Sequence, residues 1–177
     1  IWQVLNDSIM SASMSIRNYS YLVKKVVFPV DIIPVISIIG SSFVSLFLLA
    51  VAAIICIIYG YIPNILTILY IIIALYAFIL AFTRFTSALT TLVPDFSNLL
   101  GILMQLFFWA TPVVWSVSRL AGHETILQII QCMPFAYLVT AFREAFMGGN
   151  IITANHGMYT IIFWVITVLM FLWGNHI

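Results

Sequence analysis

Charged residues are rare in this sequence, which has six basic and five acidic residues among 177. They make up 6% of the chain, whereas soluble domains carry about 25%. The chain is also 64% hydrophobic, with a mean hydropathy of +1.21, which excludes a water-soluble fold. The basic side chains are scattered between apolar runs and form no solvated basic face, so nucleic acid is not an expected partner. The composition therefore indicates a membrane domain.

The residue patterns of several kinds of active site are absent as well. His123, His156 and His176 lack the spacing of metal ligands, and no HExxH motif or cysteine cluster is present. No GxxxxGK[ST] loop is available to bind nucleotide phosphates. Proton relays and intramembrane enzymes need ionisable residues inside the spans, where only Asp7 is a candidate. We expect no catalytic residue, metal or cofactor on this chain, so energy for any uphill transport must come from another subunit.

Long apolar runs dominate what the sequence does contain. A helix needs about 20 apolar residues to cross the roughly 30 Å hydrocarbon core of a bilayer. We therefore expect an all-α, polytopic transmembrane bundle, in which residues 1–16 form the end of one span. The further predicted spans are 36–59, 65–83, 98–115 and 158–173.

The segment 17–28 holds three of the six basic residues and precedes a long apolar run. Because Lys and Arg are retained on the cytoplasmic side, we place this segment in the cytoplasm and the protein in the cytoplasmic membrane. Helical periodicity puts Lys24 and Lys25 opposite a side rich in valine, which predicts a helix on the membrane surface that Phe28-Pro29 ends. A simple positive anchor and a docking element for a cytoplasmic partner both fit this pattern.

Two features are expected on the outer side of the membrane. The apolar run within 124–147 is interrupted by Pro134, so we predict two re-entrant half-helices, which are stable where protein or a wet cavity covers their backbone. Aromatic residues also cluster at the end of the 98–115 span. They form either an interfacial aromatic belt or a conduit wall, where flat rings suit the apolar faces of sugars. The cluster consists of Phe107, Phe108, Trp109 and Trp115.

Several segments together resemble the membrane-spanning permease of type-2 ABC exporters. The similarity extends over essentially the whole chain, and the nearest branch is that of the polysaccharide and teichoic-acid exporters. Its most specific part is the basic segment followed by Phe28-Pro29 and, five residues after Pro29, Pro34. The other matching features are Asn18, LVKKVVFPVDIIP at 22–34, Asp95 before a long span, TPVVW at 111–115 and MPFAYLVTAFREAF at 133–146.

This resemblance implies a transporter driven by a separate subunit. Segment 17–28 would be the coupling helix that docks on an ATP-binding cassette ATPase, and two permease copies would form one channel for a lipid-linked polymer. The family's N-terminal helix and first span would precede Ile1, so the chain is expected to be a piece of a longer permease. The implied coupling residues are Asn18, Tyr21, Lys24, Lys25, Phe28 and Pro29; the channel aromatics are Phe107, Phe108, Trp109 and Trp115; the outer gate consists of Pro134, Phe135, Arg143 and Glu144.

The sequence departs from the family pattern at two positions. Pro94 precedes Asp95 where relatives tend to have Arg, so an ion pair expected there is not implied. Met133 precedes Pro134 where Asn-Pro is common, which removes a capping side chain from the gate but keeps the turn.

Three functional hypotheses follow. The first is the permease of an ATP-driven exporter of a lipid-linked polymer such as teichoic acid, O-antigen or capsule. The second is a type-2 ABC permease for drugs or small lipids. The third belongs to another class, a membrane scaffold or an intramembrane enzyme, which the lack of paired ionisable residues disfavours.

The coupling assignment is tested by replacing Lys24 and Lys25 with Glu. Reversing two charges at a docking helix should abolish co-purification with the ATPase, because like-charge contacts at an interface cost several kcal/mol. Replacing Arg84 with Glu, outside the predicted coupling helix, is the control. Unchanged co-purification of the double variant would contradict the assignment.

Overall fold

The computed structural model describes residues 1–19, 32–61, 63–93, 95–115, 124–147 and 157–174. Of these residues 88% are helical and none lies in a strand, which confirms the all-α helical membrane bundle. The helices are α1 Trp2–Asn18, α2 Ile32–Ile58, α3 Ile65–Leu92, α4 Phe96–Ala110, α5 Glu124–Gln131, α6 Pro134–Phe146 and α7 Gly157–Gly174. Three of the described helices, α2, α3 and α7, are long and apolar enough to cross a membrane.

Helix α3 is the centre of the bundle. It packs against α1, α2, α4, α6 and α7. In its most apolar 18-residue window 44% of the residues are buried, compared with 6% for α2 and 11% for α7. Its buried side chains include Ile71, Leu75, Phe78 and Ile79. The outer surfaces of α2 and α7 remain apolar, as expected for helices that contact lipid on one side.

Small hydroxyl residues join α1 to its two main neighbours. Ser13 and Thr86 share a hydrogen bond of 2.5 Å, and the Thr90 hydroxyl donates to the Ser13 carbonyl at 2.6 Å. On the other side of α1, Ser8 and Ser41 are 2.8 Å apart. Small residues let helix backbones approach closely in membranes. These serines and threonines therefore allow α1 to pack closely against α2 and α3.

The helix bounds differ from the predicted spans at two places. Helix α3 continues nine residues beyond Thr83, so Arg84 lies within a helix rather than at its end, with its guanidinium 4.8 Å from the centroid of the Phe171 ring. Helix α4 ends at Ala110, five residues before the predicted end of the span, because the residue before a proline is pushed out of the helical region. Thr111, which precedes Pro112, accordingly has extended backbone angles. At 15 residues, about 22 Å, α4 is an apolar helix shorter than the membrane core.

Helices α3 and α7 run in the same direction, and their backbones are close together at Gly174. A Cβ added to this residue would lie 2.9 Å from the Phe85 nitrogen and 3.0 Å from the Arg84 Cβ. Beside this contact, the rings of Phe85 and Trp173 stack at 6.1 Å. Glycine at this position therefore allows the two backbones to meet.

Replacing Gly174 with Ala should lower the thermal midpoint of the purified protein. The new methyl group meets backbone atoms rather than a flexible side chain, and such overpacking costs about 1–3 kcal/mol. The matched control is Gly40→Ala, since a Cβ at this position in α2 has no described atom within 4 Å. Equal midpoints for the two variants would contradict the close approach.

Candidate functional site

Helices α5 and α6 are separated at Cys132 and Met133, and Pro134 begins α6. Helix α6 runs antiparallel to the half of α3 that starts at Ile65. Near the start of α3, the Asn64 nitrogen donates to the Ala145 carbonyl at 3.2 Å, while residues at the other end of α6 contact the middle of α3. The stretch is thus two short helices, of which α6 lies beside half of the long helix α3. Their depth in the membrane stays a prediction.

Phe135, predicted as part of an outer gate, is the centre of an aromatic cluster. It is 4% exposed. Its ring stacks on Phe107 at 4.8 Å and meets Phe78 edge-on at 5.1 Å. It also lies 5.7 Å from Phe82 and 5.8 Å from Trp2. Aromatic pairs at these distances contribute about 0.5–1.5 kcal/mol each beyond their burial, so Phe135 anchors α6 to α1, α3 and α4.

The predicted channel aromatics separate into two groups. Phe107 packs against the core through Phe135, and Phe108 is half-buried beside Trp2 at 5.6 Å. Trp109 is 62% exposed. The Trp115 indole nitrogen donates to the Trp109 carbonyl at 3.2 Å and so lies close to it. Within a single chain, Trp109 and Trp115 are therefore the members available to a conduit or a membrane interface.

A hydrogen-bonded network fixes α6 to α3 and α7. The Tyr137 hydroxyl is 3.0 Å from that of Thr160 and 3.3 Å from that of Tyr70. The Trp164 indole nitrogen donates to the Tyr70 hydroxyl at 2.9 Å. Sequence reasoning missed this network. The available signal was the presence of Tyr and Trp inside apolar segments, where their polar atoms need partners.

The remaining gate residues lie at the two ends of α6. Arg143 donates from Nη2 to the Pro112 carbonyl at 3.1 Å, which ties α6 to the end of α4. Glu144 is half-buried and also has an interaction partner. Pro134 is at the first position of α6, where its missing N–H costs nothing. The structure therefore places all four gate residues on α6, with only Phe135 in the core.

Helix α1 has a polar exposed side. Gln3, Asp7 and Ser11 are exposed and recur every four residues, whereas Leu5, Ile9 and Ala12 on other sides are fully buried. The Asn6 amide lies 3.3 Å from the Asp7 carboxylate. Polar residues at this spacing share one helix face. The four-residue spacing of these polar residues is visible in the sequence, but among them only Asp7 was considered in the sequence analysis.

Helix α4 continues that surface. It contacts α1 in antiparallel fashion, since Gly101 faces Met10 and Phe108 faces Trp2. With this contact fixed, helical periodicity turns the exposed residues of α4 to the same side as the polar side of α1. These residues include the apolar Leu99, Ile102 and Leu106. We call the combined surface the polar-aromatic face, which consists of Gln3, Asp7, Ser11, Asn98, Gln105 and Trp109.

The predicted coupling residues fall mostly outside the described part of the chain. Asn18 is the last residue of α1 and is exposed. Tyr21, Lys24, Lys25, Phe28 and Pro29 lie outside the described residues, as do His123, His156 and His176. Among the residues that the structure describes, no group of three His, Cys, Asp or Glu side chains is placed to hold a metal.

The described helices form an all-α bundle of the kind found in membrane proteins. The family model described as ABC-2 type transporter matches residues 1–147, so the chain belongs to the ABC-2 type transporter family. It is the membrane permease component of an ABC transporter, and an ATPase partner follows from this membership. The comparison with curated proteins returned no match.

Replacing Phe135 with Ala should strongly lower the thermal midpoint, because removing a buried Phe costs about 3–5 kcal/mol. The matched control is Trp109→Ala, which truncates an exposed aromatic residue and should leave the midpoint nearly unchanged. If the Trp109 variant is the less stable one, the assignment of these two residues to the core and to the exposed face is wrong.

Proposed function

We propose that this permease exports a lipid-linked polysaccharide or teichoic acid across the cytoplasmic membrane. A second copy of the chain completes the channel, and a separate ATP-binding cassette ATPase docks on segment 17–28. The chain crosses the membrane several times, with its basic segment in the cytoplasm.

The observation that supports a conduit most directly is the polar-aromatic face. Asp7 lies in the first half of α1, a helix whose other sides pack into an apolar bundle. A carboxylate facing hydrocarbon at the bilayer centre costs about 2.5–3.5 kcal/mol even on lenient scales. Ionisable residues within membrane segments therefore face water or a polar partner. A second copy placed across this face would enclose an aqueous passage lined by α1 and α4.

The chemistry of the same face supports a sugar substrate. Trp109 offers an exposed ring for the apolar faces of sugars. The carboxamides of Asn98 and Gln105 supply both hydrogen-bond donors and acceptors, which suits hydroxyl groups. The similarity of the Phe28-Pro29 to Pro34 segment to polysaccharide and teichoic-acid exporters points in the same direction.

A permease for drugs or small lipids is the alternative within transport, and a membrane scaffold is the alternative outside it. In a strain lacking the protein, intracellular accumulation of undecorated or lipid-linked polymer supports the proposal. Increased drug sensitivity with normal polymer export would support a drug permease instead. Normal export and normal drug sensitivity would favour a scaffold.

The conduit itself is tested by cysteine accessibility in a chain whose Cys56 and Cys132 are replaced by Ala. Ser11→Cys and Gln105→Cys should react with a small charged methanethiosulfonate reagent in vesicles, because thiols are reactive as hydrated thiolates. The control is Phe43→Cys, at a residue that is 72% exposed on the apolar side of α2. Equal reactivity at all three positions would contradict a conduit at the polar-aromatic face.

A further inference from the structure

A groove lies between α1, α2 and α6. It shares Val4 and Leu48 with a smaller pocket that Gln3 and Asp7 line. The volume of the groove is about 380 Å³, within the roughly 300–1,000 Å³ range of small-molecule sites. Aliphatic and aromatic side chains form most of its wall. The lining residues are Ile1, Val4, Leu48, Leu49, Ala52, Cys56, Tyr61, Val139, Phe142, Arg143, Phe146 and Met147.

The groove has the length of one membrane leaflet. Leu48, Ala52 and Cys56 recur every four residues on α2, so they form a strip of about 12 Å along one helix face. Tyr61 follows the end of α2 and extends the groove beyond it. The hydrocarbon half of a bilayer is about 15 Å thick. An extended acyl chain therefore matches the strip in length and polarity.

Arg143 is the only charged side chain among the described residues that line the groove. It lies in the second half of α6, near the end of the groove marked by Tyr61 and Met147. Its bond to the Pro112 carbonyl requires one of the five N–H donors of a guanidinium. Guanidinium groups bind phosphate oxygens in a bidentate manner. The charge is thus at the end where the headgroup of a lipid in this groove would lie.

We propose that the groove binds one acyl chain of a membrane phospholipid whose anionic phosphate headgroup is held by Arg143. The occupant is a resident lipid of the outer leaflet, distinct from any transported molecule. A phospholipid satisfies both properties of the site, since its chain covers the apolar wall and its phosphate pairs with the single cation. A protein helix of a second copy would cover the apolar wall but would supply no phosphate to the remaining N–H donors of Arg143.

The test uses the complete transporter in nanodiscs that contain a phosphatidylglycerol with a photoreactive diazirine in one acyl chain. After irradiation, mass spectrometry should locate the label on peptides that contain Cys56 or the 139–147 segment. Ala52→Phe and Cys56→Trp each fill the groove at a different point and should reduce this labelling several-fold. Ala50→Phe is the matched control, because Ala50 is exposed on α2 and does not line the groove.

The role of the charge is tested with Arg143→Gln and with a phosphatidylcholine probe that carries the same diazirine chain. Arg143→Gln should raise the concentration of unlabelled phosphatidylglycerol that halves the labelling by about tenfold. This is the effect of losing one charge-assisted hydrogen bond. Competition by unlabelled phosphatidylcholine should change less. Thermal midpoints of all variants confirm that each complex is folded.

Two results would overturn the proposal. Labelling that is equal in the Ala50 and groove-filling variants would show that lipid does not enter the groove. A cross-link between two copies of the chain through a photoreactive residue at position 52 would show that protein occupies it instead.

Discussion

The burial of α3 is the constraint on which the rest of the bundle depends. Because the chain has so few charges, the positions of its helices are determined mainly by packing and by neutral hydrogen bonds. Helix α1 is held to α3 by Ser13, Thr86 and Thr90, and α6 is held to it by aromatic contacts around Phe135. Helix α7 meets it at Gly174. Helices α1, α6 and α7 therefore pack directly against α3, whereas α2 and α4 pack mainly against α1.

Much of this fold follows from the sequence because hydrophobicity and proline are strong local signals. The all-α class and the break at Pro134 required only composition and backbone geometry. The contact of the Arg84 guanidinium with the Phe171 ring did not follow, since nothing local to Arg84 indicates this partner. Such contacts join residues far apart in the chain, and a periodic pattern in one segment contains no information about its partner.

The candidate site was predictable to a smaller extent for the same reason. Phe107 and Trp109 were predicted to act together because they are close in sequence. In the structure Phe107 packs on Phe135, whereas Trp109 is exposed. The side chains of consecutive helical residues point about 100° apart. A run of consecutive aromatic residues therefore cannot lie entirely on one wall of a channel. The polar side of α1, in contrast, is periodic within one segment, and its continuation onto α4 became visible only with the contact between Met10 and Gly101.

The network of Tyr70, Tyr137, Thr160 and Trp164 has a consequence for the conditions under which α6 stays in place. All four side chains are uncharged at neutral pH. Screening by dissolved ions weakens exposed charge pairs but acts little on buried neutral hydrogen bonds. The attachment of α6 to α3 and α7 should therefore be indifferent to external salinity and to mild acidification of the cell surroundings.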